Sequence, residues 1–289
     1  MNRHDVSPPP IVRRTAAGDR WREMVLAHAA QSRLVRDSAW QSAPDFAPPA
    51  VDSFRAGCLR SDDAAIVDAL LTDLVNSDTV VDVGAGAGRF ALPLAPHVRE
   101  VVAVEPSAAM RSVLIGDAGR AGLTNLRVVA LRWEDVTDIT ADVVFAAHVV
   151  YPLEEIEPFL RRMDAAARRW AAVLVFQEPP LSWLFPFWPR VHGQERLPAP
   201  HLPQLLDVLS DLSLGPVELT LLDVAPFPLG PADVARMKLR RRLYVAPGTE
   251  ADHRLETAMG GLLADRDGVL VPRVENPIRV GLARWHPHG

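Results

Sequence analysis

Of its 289 residues, one is a cysteine, Cys58, so no disulfide can form within the chain. That usage fits a reducing compartment. Lysine is equally scarce: Lys238 is alone, and with so much alanine and proline this points to a compositional bias of the genome and not to a function. There is no excess of positive charge. The formal net charge is −5, so no global field invites nucleic acid or an anionic membrane. No uninterrupted run approaches the roughly 20 apolar residues that span a bilayer. The most apolar stretch, Leu181 to Trp188, is short and broken by Pro186. Met1 to Arg20 lacks the apolar segment of a secretory signal. The histidines show no ligand spacing of the H-E-x-x-H or H-x-E…C-x-x-C kind, which leaves no expected metal. His286 and His288 fall in what reads as a loose end. These absences predict a soluble, cytoplasmic protein with no membrane partner.

What is present is a core. Hydrophobic residues make up 48 % of the chain, enough for a full-sized interior. Residues 1–20, with Pro8, Pro9 and Pro10, read as a flexible tail. Residues 21–60 read as an N-terminal helical cap: Trp21, Val25, Leu26 and Ala29 share a stripe, and Pro44, Pro48 and Pro49 interrupt the chain beyond it. A helix is predicted from Ser61 to Val75, with Asp62 and Asp63 at its positive end. Then short β-branched runs alternate with amphipathic segments. The runs are 79–83, 101–104, 126–130, 142–147 and 171–176; the clearest helix spans 154–169. Continuous apolar strands alternating with helices predict a doubly wound, mostly parallel α/β sheet covered on both faces. Residues 61–178 form this core. Residues 179–289 would complete the sheet, with a helix at 203–212 and strands at 217–224 and 278–285. The same part carries cap insertions at 179–203, rich in proline and aromatics, and at 231–264, read as helical.

Chemistry enters at Asp82-Val83-Gly84-Ala85-Gly86-Ala87-Gly88, directly after a strand. A strand that turns sharply into a helix while its backbone approaches a ligand favours glycine, since side chains would block the approach. The helix beyond the turn offers free N–H groups and a positive end. Glu105 closes the next strand, where a carboxylate can accept from both hydroxyls of a ribose. A nicotinamide fingerprint would need a third glycine where Arg89 stands.

The G-x-G-x-G spacing, preceded by an acid two residues before the first glycine, resembles motif I of the class I S-adenosylmethionine-dependent methyltransferases. Glu105-Pro106-Ser107-Ala108-Ala109-Met110 is similar to the segment after that family's second strand. Trp133-Glu134-Asp135 resembles its acidic loop after the third, and Asp142 through Ala147 and His148 its fourth strand. The resemblance covers residues 60–178. It implies a seven-stranded sheet whose last strand is antiparallel, and S-adenosyl-L-methionine as cofactor, with S-adenosyl-L-homocysteine as product. Asp82, Gly84, Ala85, Gly86 and Gly88 would surround the methionine portion. Glu105 would hold the ribose. Pro106 or Met110 would pack on adenine, Trp133, Glu134 and Asp135 would line its pocket, and Ala147 would close the fourth strand beside it. Arg132 departs from the family, which often has an acid there to accept from the adenine amino group. That contact would pass to Glu134, Asp135 or backbone.

Methyl transfer from a sulfonium is an in-line displacement needing alignment, exclusion of water and, for a hydroxyl acceptor, a base. His148 and Tyr151, after the fourth strand, and His192 are the catalytic candidates; His148 alternatively bonds local backbone. Trp183, Phe187 and Trp188 either wall an acceptor pocket or simply pack the cap. Glu178 and Glu195 are polar contacts for the acceptor, or solvated loop carboxylates. A small organic acceptor, methylated on oxygen or nitrogen, is the expected partner. The N/D-P-P-Y/F motif of amino-directed nucleic-acid methyltransferases is absent after the fourth strand. The alternatives are an RNA or protein methyltransferase docking through Arg236–Arg242, which more simply reads as a solvated helix face, and a non-catalytic cofactor-binding module.

Overall fold

A computed structural model describes residues 14–36, 61–225, 228–274 and 277–287. In chain order the elements are α1 (Ala16–Val35), α2 (Ser61–Leu71), β1 (Thr79–Val83), α3 (Ala91–Leu94), β2 (Glu100–Val104), α4 (Ala108–Arg120), β3 (Leu126–Val129) and β4 (Ala141–Ala147). They continue with α5 (Ile156–Ala166), β5 (Ala167–Phe176), α6 (Phe187–His192), α7 (Leu202–Asp211), β6 (Val217–Val224), α8 (Ala232–Leu243) and α9 (Glu250–Leu262). The last three are β7 (Leu263–Arg266), β8 (Val269–Pro272) and β9 (Ile278–Trp285).

Seven strands form one sheet in the order β3-β2-β1-β4-β5-β9-β6. β1 to β5 run parallel, and β9 lies antiparallel between β5 and β6. The order reverses between β1 and β4, so the crevice at their carboxyl ends is where a ligand is favoured. β1 is buried along its whole length, as a strand covered on both faces must be. One face packs Val81, Val102 and Val144 under Leu160, Met163 and Leu205. The other packs Val80, Val101 and Phe145 under Ile66, Leu70 and Leu114. A third cluster is the cap, where Trp183, Phe187 and Trp188 meet Leu239, Leu243 and Leu255.

Three sequence expectations change. The first is the tail 1–20, because α1 starts at Ala16. Thr15 caps it by accepting from the Gly18 N–H at 3.0 Å, and Ala17 and Trp21 are buried. The Trp21 indole donates to the Leu153 carbonyl at 2.8 Å, so this half of α1 covers the sheet's helical layer. The second is the helical reading of 231–264. It holds two helices broken at Tyr244–Gly248, and its end turns into a hairpin, β7 pairing with β8. The third is the loose end at His286, whose Nδ1 bonds the Arg169 carbonyl at 2.9 Å. The second half of the 21–60 cap, with Cys58, lies outside the described residues, as does His288. Among the described residues no helix is long and apolar enough to cross a membrane.

Candidate functional site

The turn after β1 is held by the end of β2. The N–H groups of Gly84 and Ala85 both donate to the Val104 carbonyl, at 2.8 and 3.1 Å. Gly84 adopts φ +71°, and a Cβ there would lie 2.4 Å from the Val149 side chain, just past β4. Gly86 also has positive φ, but a Cβ there would meet nothing within 4 Å. The first glycine is therefore required by packing, and the second leaves open space over the loop.

Two carboxylates flank this loop. Glu105 is buried and accepts from the Gly86 N–H at 2.9 Å and the Ser107 N–H at 2.7 Å. Asp82 is 2 % exposed, and its Oδ2 has no hydrogen-bond partner. Burial, then the neighbouring charge of Glu105, push the Asp82 carboxyl up to about 7, against a smaller opposing effect of the Ala91 N–H. An orphaned buried acceptor is costly unless a ligand donates to it. A ligand with an ammonium or sulfonium charge and ribose hydroxyls fits this cradle.

The other expected cofactor residues divide between surface and core. Pro106 is exposed, and Ala147 ends β4 half-buried. Met110 is buried against Ala87 beneath the loop. Trp133 departs from the expected pocket lining: the 3-10 turn Trp133–Asp135 directs its indole into the core, where Nε1 donates to the Phe159 carbonyl at 3.4 Å. Glu134 and Asp135 are exposed, and Glu134 pairs with Arg132 at 3.7 Å.

Across the crevice, His148 comes just after β4 with φ +58°, a strained conformation for a non-glycine residue. Its N–H donates to the Leu174 carbonyl at 2.9 Å, which fixes the backbone, while its ring stacks on Phe176 at 4.6 Å. Nδ1 lies 3.0 Å from the Tyr151 hydroxyl, which itself accepts from the Phe176 N–H at 2.8 Å. With that lone pair engaged, the phenol O–H is best placed to donate to Nδ1, leaving Nε2 as the N–H. Burial and the nearby Arg89 charge push the His148 imidazolium down to about 3, and burial pushes the Tyr151 phenol up. The pair is neutral at working pH. Arg89 itself forms an ion pair with buried Asp63, so Asp63 is more than a helix-end charge.

Two recesses open beside this pair. The inner one is lined by His148, Arg89, Phe176, Glu178, Leu181 and Trp183, among others. The Trp183 indole N–H is buried without a hydrogen-bond partner. The outer one is lined on one side by α1 and on the other by Tyr151, Leu181, Trp188, Arg196 and Arg242.

Three acceptor-side expectations are corrected. Phe187 is fully buried in the cap core, because it lies on the inward face of α6. His192 Nε2–H donates to the Leu243 carbonyl at 2.9 Å and the ring packs on Trp188; it lines neither recess and holds the cap together. Glu195 is exposed, and only its backbone carbonyl is engaged, by Gln31. The basic run is also not one solvated face. Arg240 forms a bidentate pair with buried Asp252, at 2.7 Å for both bonds, and Arg236 lies 2.6 Å from Glu256. These pairs bind α8 to α9. Sequence reasoning missed Arg196 altogether. A signal existed, an arginine with no acid at helical spacing, but its partners are more than 160 residues away.

Residues 81–173 match the family described as a methyltransferase domain. A candidate methyltransferase of Bacillus halodurans C-125 superposes with a TM-score of 0.54 at 16 % identity, over 79 % of this chain and 100 % of that one. The YcgJ protein of Bacillus subtilis gives 0.52 at 13 %, over 79 % and 98 %. A tRNA/tmRNA (uracil-C(5))-methyltransferase of Pseudomonas putida (strain W619) is 28 % identical over 109 residues, 38 % of this chain; the match spans only 27 % of that relative's length. The match thus covers β1 to β5, and the seven-stranded sheet has the fold of the class I S-adenosylmethionine-dependent methyltransferases.

Proposed function

We propose that the protein transfers a methyl group to a small organic acceptor, on oxygen or nitrogen. The observation that carries this reading is the buried Asp82 carboxyl, whose Oδ2 has no hydrogen-bond partner, beside Glu105, flanking a glycine loop at the point where strand order reverses. Asp82 and the Gly84–Gly88 turn would hold the methionine portion of S-adenosylmethionine, and Glu105 its ribose. When bound, that cofactor supplies an electrophilic methyl on a sulfonium.

The chain's own groups do the rest. The acceptor enters over the inner recess, where Phe176 and Trp183 exclude water. His148 and Tyr151, stacked and hydrogen bonded, orient the acceptor's lone pair. A neutral imidazole opposed by Arg89 is a weak store for a proton, so the site suits an acceptor that arrives with its lone pair already free. The likeness to a tRNA/tmRNA enzyme supports an RNA acceptor as a second reading. Against it stand the net charge of −5 and the commitment of Arg236 and Arg240 to the cap.

Calorimetric titration with S-adenosylmethionine and S-adenosylhomocysteine tests the cofactor half. Micromolar binding of both is expected. A folded protein that binds neither overturns the reading.

A further inference from the structure

We infer that the acceptor is an oxyanion, a small molecule carrying a carboxylate or phosphate, and that Arg196, Arg33 and Arg242 hold this group in the outer recess. The inference rests on the methyltransferase reading and names the substrate class of that same site.

The carrying observation is a buried cation without a counter-ion. Arg196 is 9 % exposed, and its guanidinium bonds only neutral partners. Nη1 donates to Gln31 Oε1 at 3.0 Å and, more weakly, to the His28 carbonyl at 3.4 Å. Nη2 donates to Ser32 Oγ at 2.8 Å and meets the His28 ring nitrogen at 2.5 Å. Its Cζ lies 4.0 Å from the centre of the Trp188 ring. No carboxylate among the described residues lies within ion-pair distance of it, nor of Arg33 and Arg242, which are exposed on the two sides of the same recess. A desolvated charge of this kind is stable only if something compensates it. The arrangement is the reverse of Arg240, which the chain satisfies with Asp252.

The other groups in the recess do not cancel the field. Glu154 lines it but pairs with Arg22 at 3.4 Å. His28 also lines it and adds no charge, since burial and Arg196 hold its imidazolium below the usual range. The recess has a volume of about 370 Å³ and opens to solvent, which suits a small molecule. Leu181 borders both recesses and has φ +61°. Beyond it lie His148, Phe176 and the unpartnered Trp183 N–H. A molecule anchored at the arginines therefore reaches the crevice past one side chain, and finds there a donor that only a lone-pair-bearing ligand satisfies. The planar guanidinium forks of Arg33 and Arg242 match carboxylate and phosphate geometry, while Arg196, whose Nη protons go to Gln31, Ser32 and His28, contributes its charge.

The test is calorimetric titration of the full chain, saturated with S-adenosylhomocysteine, with benzoate, phenyl phosphate and neutral benzamide. Saturable binding of benzoate or phenyl phosphate, with benzamide about tenfold weaker or worse, supports the inference. Whichever of the two anions binds more tightly distinguishes carboxylate from phosphate. Arg196→Gln should weaken the anion at least about tenfold. Because Arg196 also ties α1 to the cap, the double variant Arg33→Gln with Arg242→Gln, both on the exposed rim, carries the same test without a folding risk. Equal affinity for benzamide, unchanged anion affinity in the double variant, no saturable anion binding up to the probe's solubility, or competition by an RNA oligonucleotide alone each overturns it. S-adenosylhomocysteine affinity is read first. If it binds and the anions do not, this inference falls and the methyltransferase reading stands; if anions bind and it does not, the methyltransferase reading falls and takes the acceptor assignment with it, leaving only an anion-binding recess.

Discussion

At one end of the crevice, Asp82 and Glu105 lie buried beside backbone N–H groups of the glycine loop; at the other, Arg196, Arg33 and Arg242 surround the outer recess, where an acceptor would be anchored. The first region is built from two consecutive strand ends and is acidic. The second is gathered from α1, the segment after β5 and α8, and is basic. Opposite charge at the two ends sorts a cationic cofactor from an anionic acceptor before either is read in detail. It also divides the labour of stability. The acidic end is held by the parallel sheet itself, and the basic end by a cap whose aromatic core is separate from the two sheet clusters.

The sharpest way to break this division is at Gly88. Its φ is +90°, and a Cβ would lie 2.4 Å from Leu114 and 2.8 Å from Leu92 in the core. Gly88→Ala should cost about 2–4 kcal/mol from strain and overpacking together. Thermal unfolding should show a Tm loss of roughly 5–10 °C. Gly86→Ala has open space and should cost about 1 kcal/mol from its positive φ alone, yet weaken cofactor binding more than Gly88→Ala. Equal Tm losses in the two would mean that the loop is not anchored through Gly88.

Next in size is the acidic pair. Asp82→Ala or Glu105→Ala should weaken S-adenosylmethionine binding by about 1–3 kcal/mol, read by titration calorimetry. Unchanged affinity in both variants would remove the cofactor assignment. The Asp82 carboxyl has a folded value of about 7, above its unfolded one. The folded state therefore binds the extra proton. Its stabilising contribution is full below about pH 4 and is lost as pH rises through about 7. Asp82→Asn should flatten that fall in Tm between about pH 5 and 8. A cationic ligand beside Asp82 should drive the proton off, so binding at about pH 6 should release protons to the buffer, and binding at about pH 8.5 should not. Identical binding enthalpies in phosphate and Tris at the lower pH would contradict this.

These two regions also differ in how far they could be read from the sequence. The spacing from Asp82 to Gly88, and Glu105 at the next strand end, are local demands of a strand-turn-helix, so they stand in the chain as a motif. The strand bounds 79–83, 217–224 and 278–285 follow from β-branched runs in the same way. Trp133 misled because a single residue's direction depends on a 3-10 turn that no periodicity marks. Phe187 and His192 misled because an aromatic segment reads alike whether it faces a pocket or a core. The basic recess was illegible for a different reason. Its charge is defined by the absence of acids around Arg196 among the described residues, and that absence exists only after residues 28–32 are brought to residue 196.

Between the two ends, His148→Ala should leave cofactor affinity within about twofold and lower kcat by about ten- to a hundredfold, the scale of a lost positioning contact. Since the imidazole is neutral above about pH 4, the wild-type kcat profile should show no break near pH 6.5 that vanishes in His148→Ala. Tyr151→Phe should act in the same direction and more weakly, since it strips the hydrogen bond to Nδ1 and leaves the Phe176 N–H unpaired but keeps the stacked ring. If His148→Ala is without effect on kcat, the strained backbone at φ +58° serves only the turn.

The smallest expected effect separates the cap's basic run from the recess. Arg240→Glu is a poor probe of any docking surface, because it would leave Asp252, 4 % exposed, facing a second carboxylate, and the cap would be destabilised whatever it binds. Arg241 is exposed one position along the same helix and lines neither recess. Arg241→Glu should therefore change stability by no more than about 0.5 kcal/mol, read by thermal unfolding, and leave benzoate affinity unchanged. Should an RNA oligonucleotide bind the wild type with a steep salt dependence and lose that affinity in Arg241→Glu, the run would be a docking surface after all. The basic charge of this cap would then serve a macromolecule on its outer face, and the arginines of the outer recess would be the inner edge of that same surface.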